Sequence, residues 1–407
     1  MVEIIRLPNN ATLLLEQIDF FQSAAVGFFV EAGSRFETPA QAGISHFIEH
    51  MLFKGTETRT GAEIARAFDR IGGQVNAYTA KEMTCFYAKT LHTHLPEAIE
   101  LLTDMLLHPR MDEKDIDTER GVILEEINMV EDSPDDLVVE RLFEAVWGRP
   151  GLGSPILGDE ATVSAFAAED LRQYMAANYL GGNLIVSVAG KFDRDATVAQ
   201  LTDLLAELPK TERRQAAEVP AYRPTLVTKE KDIEQNHLCY GFPAYGVTDP
   251  KATALSVVSA ILGEGMSSRL FQHLREQLGL VYSVTSFQSA HRGCGLFSIY
   301  TAQQAENEGR AREAVEKELE LLRREGITEE ELFRARESIK TGLVMGFENS
   351  SSRMSFNARD YLRRGRVREA EELLAAVDAV DVEAARRVIA EVFDPARQAL
   401  SVVGRIR

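Results

Sequence analysis

Gly43-Ile44-Ser45-His46-Phe47-Ile48-Glu49-His50-Met51-Leu52-Phe53-Lys54-Gly55-Thr56 is the stretch on which the reading of this chain turns. At its centre stands H-x-x-E-H. His46 and His50 are four residues apart, so on a helix they share a face. Two neutral imidazoles at that spacing are ready to bind one divalent metal, most naturally zinc. Glu49 then stands beside the metal, free to take a proton from water, which is the equipment of a metal-dependent hydrolase. The order is the inverse of the commoner zinc-protease order and forms a class of its own. Only 8 histidines occur in 407 residues, so a chance match is expected in roughly one such chain in a hundred.

A catalytic zinc usually takes three protein ligands. A source for the third lies in Asp117-Thr118-Glu119-Arg120-Gly121-Val122-Ile123-Leu124-Glu125-Glu126. Glu119 and Glu126 are two helical turns apart and near one face. One carboxylate can bind metal while the other orients a ligand from behind. The plainer reading is an acidic, solvated helix face, and with 63 acidic against 45 basic residues that reading alone is the stronger one.

The motif run, the spacing to Glu126, and Gly72-Gly73-Gln74-Val75-Asn76-Ala77-Tyr78-Thr79 together resemble the pitrilysin family of inverted-motif zinc peptidases. Within it they are most similar to the mitochondrial-processing-peptidase-like branch. The resemblance implies two related α+β domains per chain, Zn2+ as cofactor, and peptide substrates. It implies His46, His50 and Glu126 as zinc ligands, Glu49 as general base and Glu119 as the carboxylate behind a ligand. It also implies that Asn76 and Ala77, on an edge strand, hold an extended substrate by β-addition; without it, an Asn that closes a turn is the favoured reading. In Ser267–Val284 it points to Arg275 and Tyr282 as a pair shared by these peptidases. A guanidinium and a phenol can donate to a substrate carbonyl or to a developing oxyanion, although pattern alone favours a surface Arg and a half-buried strand Tyr. The family's glycine-rich recognition loop is not seen; only Gly263-Glu264-Gly265 stands near its place.

Chains of this length resemble half of the larger family enzymes. Because this one carries both the metal motif and the Arg/Tyr pair, a homodimer with two composite sites is expected, a heterodimer with a related chain being the variant arrangement. Two other classes compete: a noncatalytic scaffold subunit of a larger complex with the same fold, and a metal-dependent hydrolase of a non-peptide bond.

Composition bounds the rest. Net charge is -18, which argues against nucleic acid. An acidic cavity would attract basic peptides, presequence-like segments among them, by long-range steering. No apolar run approaches a membrane span, and Met1-Val2-Glu3-Ile4-Ile5-Arg6 has neither the basic nor the apolar part of a secretory signal. Cys85, Cys239 and Cys294 are scattered without metal-ligand spacing, which suits buried free thiols in a reducing compartment. A cytoplasmic location is expected.

The chain also repeats itself weakly. Gly27 in Val26–Phe29 and Gly241 in Tyr240–Phe242 are 214 residues apart, as are Gly190 and Gly404, each closing an apolar run. In the second copy Glu119 falls near Ala335 and Glu126 near Gly342, and the motif is absent, so one half carries the metal chemistry. Polar and proline-containing sequence at 209–226 reads as a linker. The expected domains are 1–208, with the metal site, and 227–407, with the Arg/Tyr pair. Within each half, strands and helices mix as in an α+β unit, a mainly antiparallel mixed sheet with helices on one face.

Overall fold

The computed structural model describes residues 1–214 and 218–406. The chain forms two compact units, each built on one mixed sheet. The sheet of the first unit contains β1 (Glu3–Arg6), β2 (Thr12–Gln17), β3 (Ser23–Val30), β4 (Gln74–Thr79), β5 (Thr84–Leu91) and β6 (Leu184–Gly190) in the order β1-β2-β6-β3-β5-β4. All neighbours are antiparallel except β2 and β6. The sheet of the second unit contains β7 (Leu226–Glu230), β8 (Gln235–Ala244), β9 (Ser283–Ala290), β10 (Gly295–Gln304) and β11 (Ala399–Gly404) in the order β7-β11-β8-β10-β9. Here β11 and β7 are the parallel pair.

Leaving β1 aside, the two orders are the same, which gives the sequence repeat its physical form. Gly190 and Gly404 end the matching strands β6 and β11 with φ of 124° and 145°, a conformation that disfavours any side chain.

Local chemistry sets the elements around the site. Thr60 and Glu63 form a reciprocal capping box that starts the helix Gly61–Arg70. That helix runs into Gly72 at φ 60°, and the chain turns directly into β4. Strand alternation divides the first core in two. Leu13, Leu15, Val26 and Phe28 point to the side of Phe47 and Ile48 from the motif helix Ile44–Leu52. Leu14, Ala25 and Phe29 point to the other side. The central strands are therefore buried on both faces and read as unbroken apolar runs.

The helix on that second side comes from the far end of the sequence. Ser350–Arg364 packs Met354, Ala358 and Leu362, each four residues from the last, against Leu14, Phe29 and Ile185. Reciprocally, Pro134–Trp147 from the N-terminal half packs Val138 and Leu142 with Cys239, Leu296, Ala399 and Val403 of the second sheet. The first unit is thus Met1–Asn128, Ser154–Ala217 and Met345–Glu369, and the second is Met129–Gly153, Glu218–Val344 and Ala370–Arg407. A single cut at 209–226 separates the halves of the sequence but not these units, because each unit holds one helix from the opposite half. Residues 215–217 of the expected linker lie outside the described residues. So each sheet bears its main helix layer on one face and one exchanged helix on the other.

The repeated glycines make room for the exchange. A Cβ on Gly27 would lie 2.4 Å from the Met354 sulfur and 2.7 Å from the Phe29 ring, and one on Gly241 would lie 3.0 Å from Leu142. Gly27→Ala is expected to cost about 1–3 kcal/mol through overpacking. Urea unfolding at unchanged m-value checks it, and a stability equal to that of the parent chain would refute it. Among the described residues no helix is long and apolar enough to cross a membrane.

Candidate functional site

The motif helix is fixed at its start by a buried carboxylate. Glu37 accepts hydrogen bonds from the backbone amides of Gly43 (2.8 Å) and Ser45 (2.9 Å), two amides left over at the helix N-terminus. The Ser45 hydroxyl meets the Tyr174 hydroxyl at 2.8 Å. With its entry held this way, the helix presents His46, Glu49 and His50 along one side.

The two imidazoles face each other edge-on, their centroids 4.7 Å apart. His46 Nε2 and His50 Nε2 each lie 3.5 Å from the same oxygen of Glu126. Glu126 comes from the helix Glu113–Asp132, whose Ile123 is buried in the core and turns this face inward. One ligand atom from each of the three lies within 4.8 Å of the others. These separations suit a metal. A tetrahedral centre with bonds of about 2.0–2.1 Å spaces its ligand atoms about 3.3 Å apart, whereas 3.5 Å is too long for a good hydrogen bond. Burial first, and the neighbouring His50 second, hold His46 down to about 4, so it offers a neutral ring. The donor set of two imidazoles and a carboxylate fits zinc.

Glu119 lies seven residues before Glu126 on the same helix, buried at 3% exposure. Its Oε2 is 3.0 Å from His50 Nδ1, and its Oε1 is 2.5 Å from Lys54 Nζ. Donation from Nδ1–H to this carboxylate leaves the Nε2 lone pair of His50 pointing at the centre. Glu49 stands beside His50 on the motif helix, and its Oε2 accepts a 2.6 Å hydrogen bond from the Thr79 hydroxyl. Burial raises its pKa above the ordinary value against the opposing pull of that bond, which makes it a better proton acceptor once ionised.

Asn76 and Ala77 lie on β4, the edge strand, and the Asn76 side chain accepts from the Ala77 amide at 2.8 Å. Arg275 and Tyr282 belong to the second unit. Arg275 lies in the π-helical segment Phe271–Gln277, and Tyr282, 71% exposed, stands just before β9. The guanidinium covers the Phe271 ring at 4.8 Å and the Tyr282 ring at 5.8 Å, so the pair is stacked. His273 is half-buried and pairs with the buried Glu318 at 3.1 Å.

Sequence reasoning passed over Thr79, Lys54 and Glu37. Strand parity held a signal for Thr79, since Val75 and Ala77 pack in the core that contains the motif helix and Thr79 shares their side of β4. Lys54 lies beyond the helix end, and Glu37 reaches back over a turn, so spacing does not announce either.

Residues 12–160 match the profile of the insulinase family, peptidase family M16, and residues 165–339 match the M16 inactive domain. An "uncharacterized zinc protease" of Bacillus subtilis is 38% identical over 97% of this chain and 96% of its own length. Another, of Streptomyces coelicolor, is 36% identical over 98% of this chain and 89% of its own. The chain belongs to the insulinase family, peptidase family M16. Two solved structures share the fold: an M16 inactive domain from Pseudomonas fluorescens (TM-score 0.94, 19% identity, covering 100% of this chain and 98% of that one) and a protease from Helicobacter pylori (TM-score 0.92, 22% identity, 99% of each).

Proposed function

We propose that this protein is a zinc-dependent endopeptidase of the inverted H-x-x-E-H class that cleaves unfolded peptides. The observation that carries the reading is the convergence of His46 Nε2, His50 Nε2 and a Glu126 oxygen, with Glu49 adjacent. His46, His50 and Glu126 hold the metal, and Glu119 orients His50. Zinc bound there supplies Lewis acidity to water and to the scissile carbonyl. Glu49, held by Thr79, takes a proton from water and passes it to the leaving amine. The unpaired edge of β4, at Asn76 and Ala77, holds the substrate backbone as an added strand, which tolerates many sequences.

Arg275 and Tyr282 bind and polarise the substrate in a homodimer of the processing-peptidase-like kind, each site taking its zinc ligands from one subunit and the pair from the other. What speaks for a joint role is the exposed, preformed stack of the two side chains. A chamber closed by two subunits admits extended peptides and excludes folded proteins, and the acidic chain draws basic, presequence-like segments. The three buried free cysteines suit a reducing cytoplasm.

The test is cleavage of a quenched fluorescent peptide by zinc-loaded and chelator-treated protein, with mass measured in the same buffer. The expected result is one zinc per chain, activity lost on chelation and restored by zinc, and a dimer. A metal-free protein or a zinc-independent rate sinks the peptidase reading; an active monomer sinks the composite site alone.

A further inference from the structure

The face of the first sheet opposite the motif helix carries a basic cavity of about 550 Å³ at its β4 margin. Tyr78 of the edge strand β4 and Tyr87 of its neighbour β5 contribute to one side, and Phe356, Arg359 and Arg363 of the exchanged helix Ser350–Arg364 to the other. In a chain of net charge -18 this is a local reversal of sign.

The two arginines are one helical turn apart and share a face. Neither makes a hydrogen bond or a close ion pair among the described residues. Asp360, which lines the cavity together with Arg368, and the nearby Glu82 are already engaged. Asp360 is held by Arg364 at 3.1 Å and by Arg368 at 2.8 Å, and Glu82 by Arg35 at 2.6 Å. Burial, then the charge of Arg359, holds Arg363 down to about 10, still a cation at neutral pH. Like charges at this spacing repel, and an anion between them relieves the repulsion with charge-assisted hydrogen bonds. Burial also raises the Tyr78 phenol well above its ordinary value, so it stays a protonated donor.

The position of Tyr78 says what brings the anion. It stands between Ala77 and Thr79, and the Thr79 hydroxyl holds Glu49. Val75 and Ala77 pack on the motif-helix side of the sheet, whereas Tyr78 packs on the exchanged-helix side. A peptide added to the free edge of β4 sends alternate side chains to the two faces. Those of one parity arrive beside Tyr78.

We propose that this cavity is a carboxylate subsite in which Arg359 and Arg363 take up an acidic group of a peptide lying along β4. The inference rests on the peptidase reading above for its peptide, and it adds a specificity that the overall charge does not predict. The acidic surface acts on a basic peptide at a distance, while the two guanidiniums act in contact. The carboxylate comes from an Asp or Glu side chain or from the peptide's own C-terminus.

The experiment is a set of internally quenched peptides, identical except that a single Glu or Gln is moved one position at a time across the cleaved bond, each with a free or an amidated C-terminus. With the full-length, zinc-loaded protein, Glu is expected to beat Gln in kcat/KM by ~10- to 100-fold at positions of one parity, the yield of a hydrogen-bonded charge pair. In Arg359→Gln/Arg363→Gln the Glu/Gln ratio falls to about one. Because the ratio is taken within each variant, a general loss of folded protein does not mimic the effect. A preference that follows the free C-terminus instead assigns the cavity to the chain end. Binding of the same peptides to Glu49→Gln, read by fluorescence anisotropy, separates the two readings. No turnover of any peptide with a retained acidic preference in binding refutes the peptidase and keeps the subsite. Equal cleavage and equal binding of Glu and Gln peptides at every position, with either terminus, overturns the subsite.

Discussion

Glu49→Gln is expected to lower kcat/KM for peptide cleavage by about 10²- to 10⁴-fold, the usual worth of a positioned general base, with zinc content unchanged. The substitution keeps the shape of the side chain, and an amide oxygen can still accept from the Thr79 hydroxyl, which sits 2.6 Å from the carboxylate. What it removes is the capacity to take a proton. Glu49 is not one of the three groups whose atoms converge, so the metal stays. Kinetics on one fluorescent peptide, with metal content measured on the same samples, checks both halves. A variant within tenfold of the parent would show that the proton goes elsewhere.

Glu126→Gln is expected to do the opposite, losing zinc first and activity in consequence. Glu126 contributes the oxygen that both imidazoles face at 3.5 Å, from a side chain about a third exposed. Among the described residues no close hydrogen bond holds it to its neighbours, so the fold is expected to persist and the melting temperature of the metal-free chain to change little. Removing a group that orients a ligand costs roughly 10- to 100-fold in metal affinity. Glu119→Gln should fall in that range, and Glu126→Gln, which removes a donor outright, should exceed it. Competition against a zinc-binding dye measures both. If the two variants lose affinity equally, or if Glu126→Gln keeps its zinc, the division of roles between the two carboxylates is wrong.

Much of the fold was legible because it is governed by short-range chemistry. The capping box of Thr60 and Glu63, the turn at Gly72 and the start of β4 at Gln74 each depend on a few adjacent residues, so the chain itself spells them out. The same holds for the helical spacing that puts His46 and His50 side by side. The exchanged helices were not legible. The apolar positions Met354, Ala358 and Leu362 mark an amphipathic helix face, but periodicity does not name the sheet that a face will cover. That choice is made by shape, by the absence of a side chain at Gly27 more than 320 positions earlier in the chain. The site divides in the same way. Residues within one helix announced themselves by spacing, while Thr79, from a strand, became visible only through the register of the sheet.

The helix exchange bears on what happens if the connection at 209–226 is severed. Residues 1–208 expressed alone would leave Leu14, Ala25, Phe29 and Ile185 bare where Ser350–Arg364 belongs, and would carry Pro134–Trp147 with no sheet to cover. Such a fragment is an aggregation hazard rather than a small domain. Clipped after folding, by contrast, the two pieces stay clasped, each gripping a helix of the other. The connecting peptide is then needed to deliver the halves to one another during folding, and is dispensable as a tether afterwards.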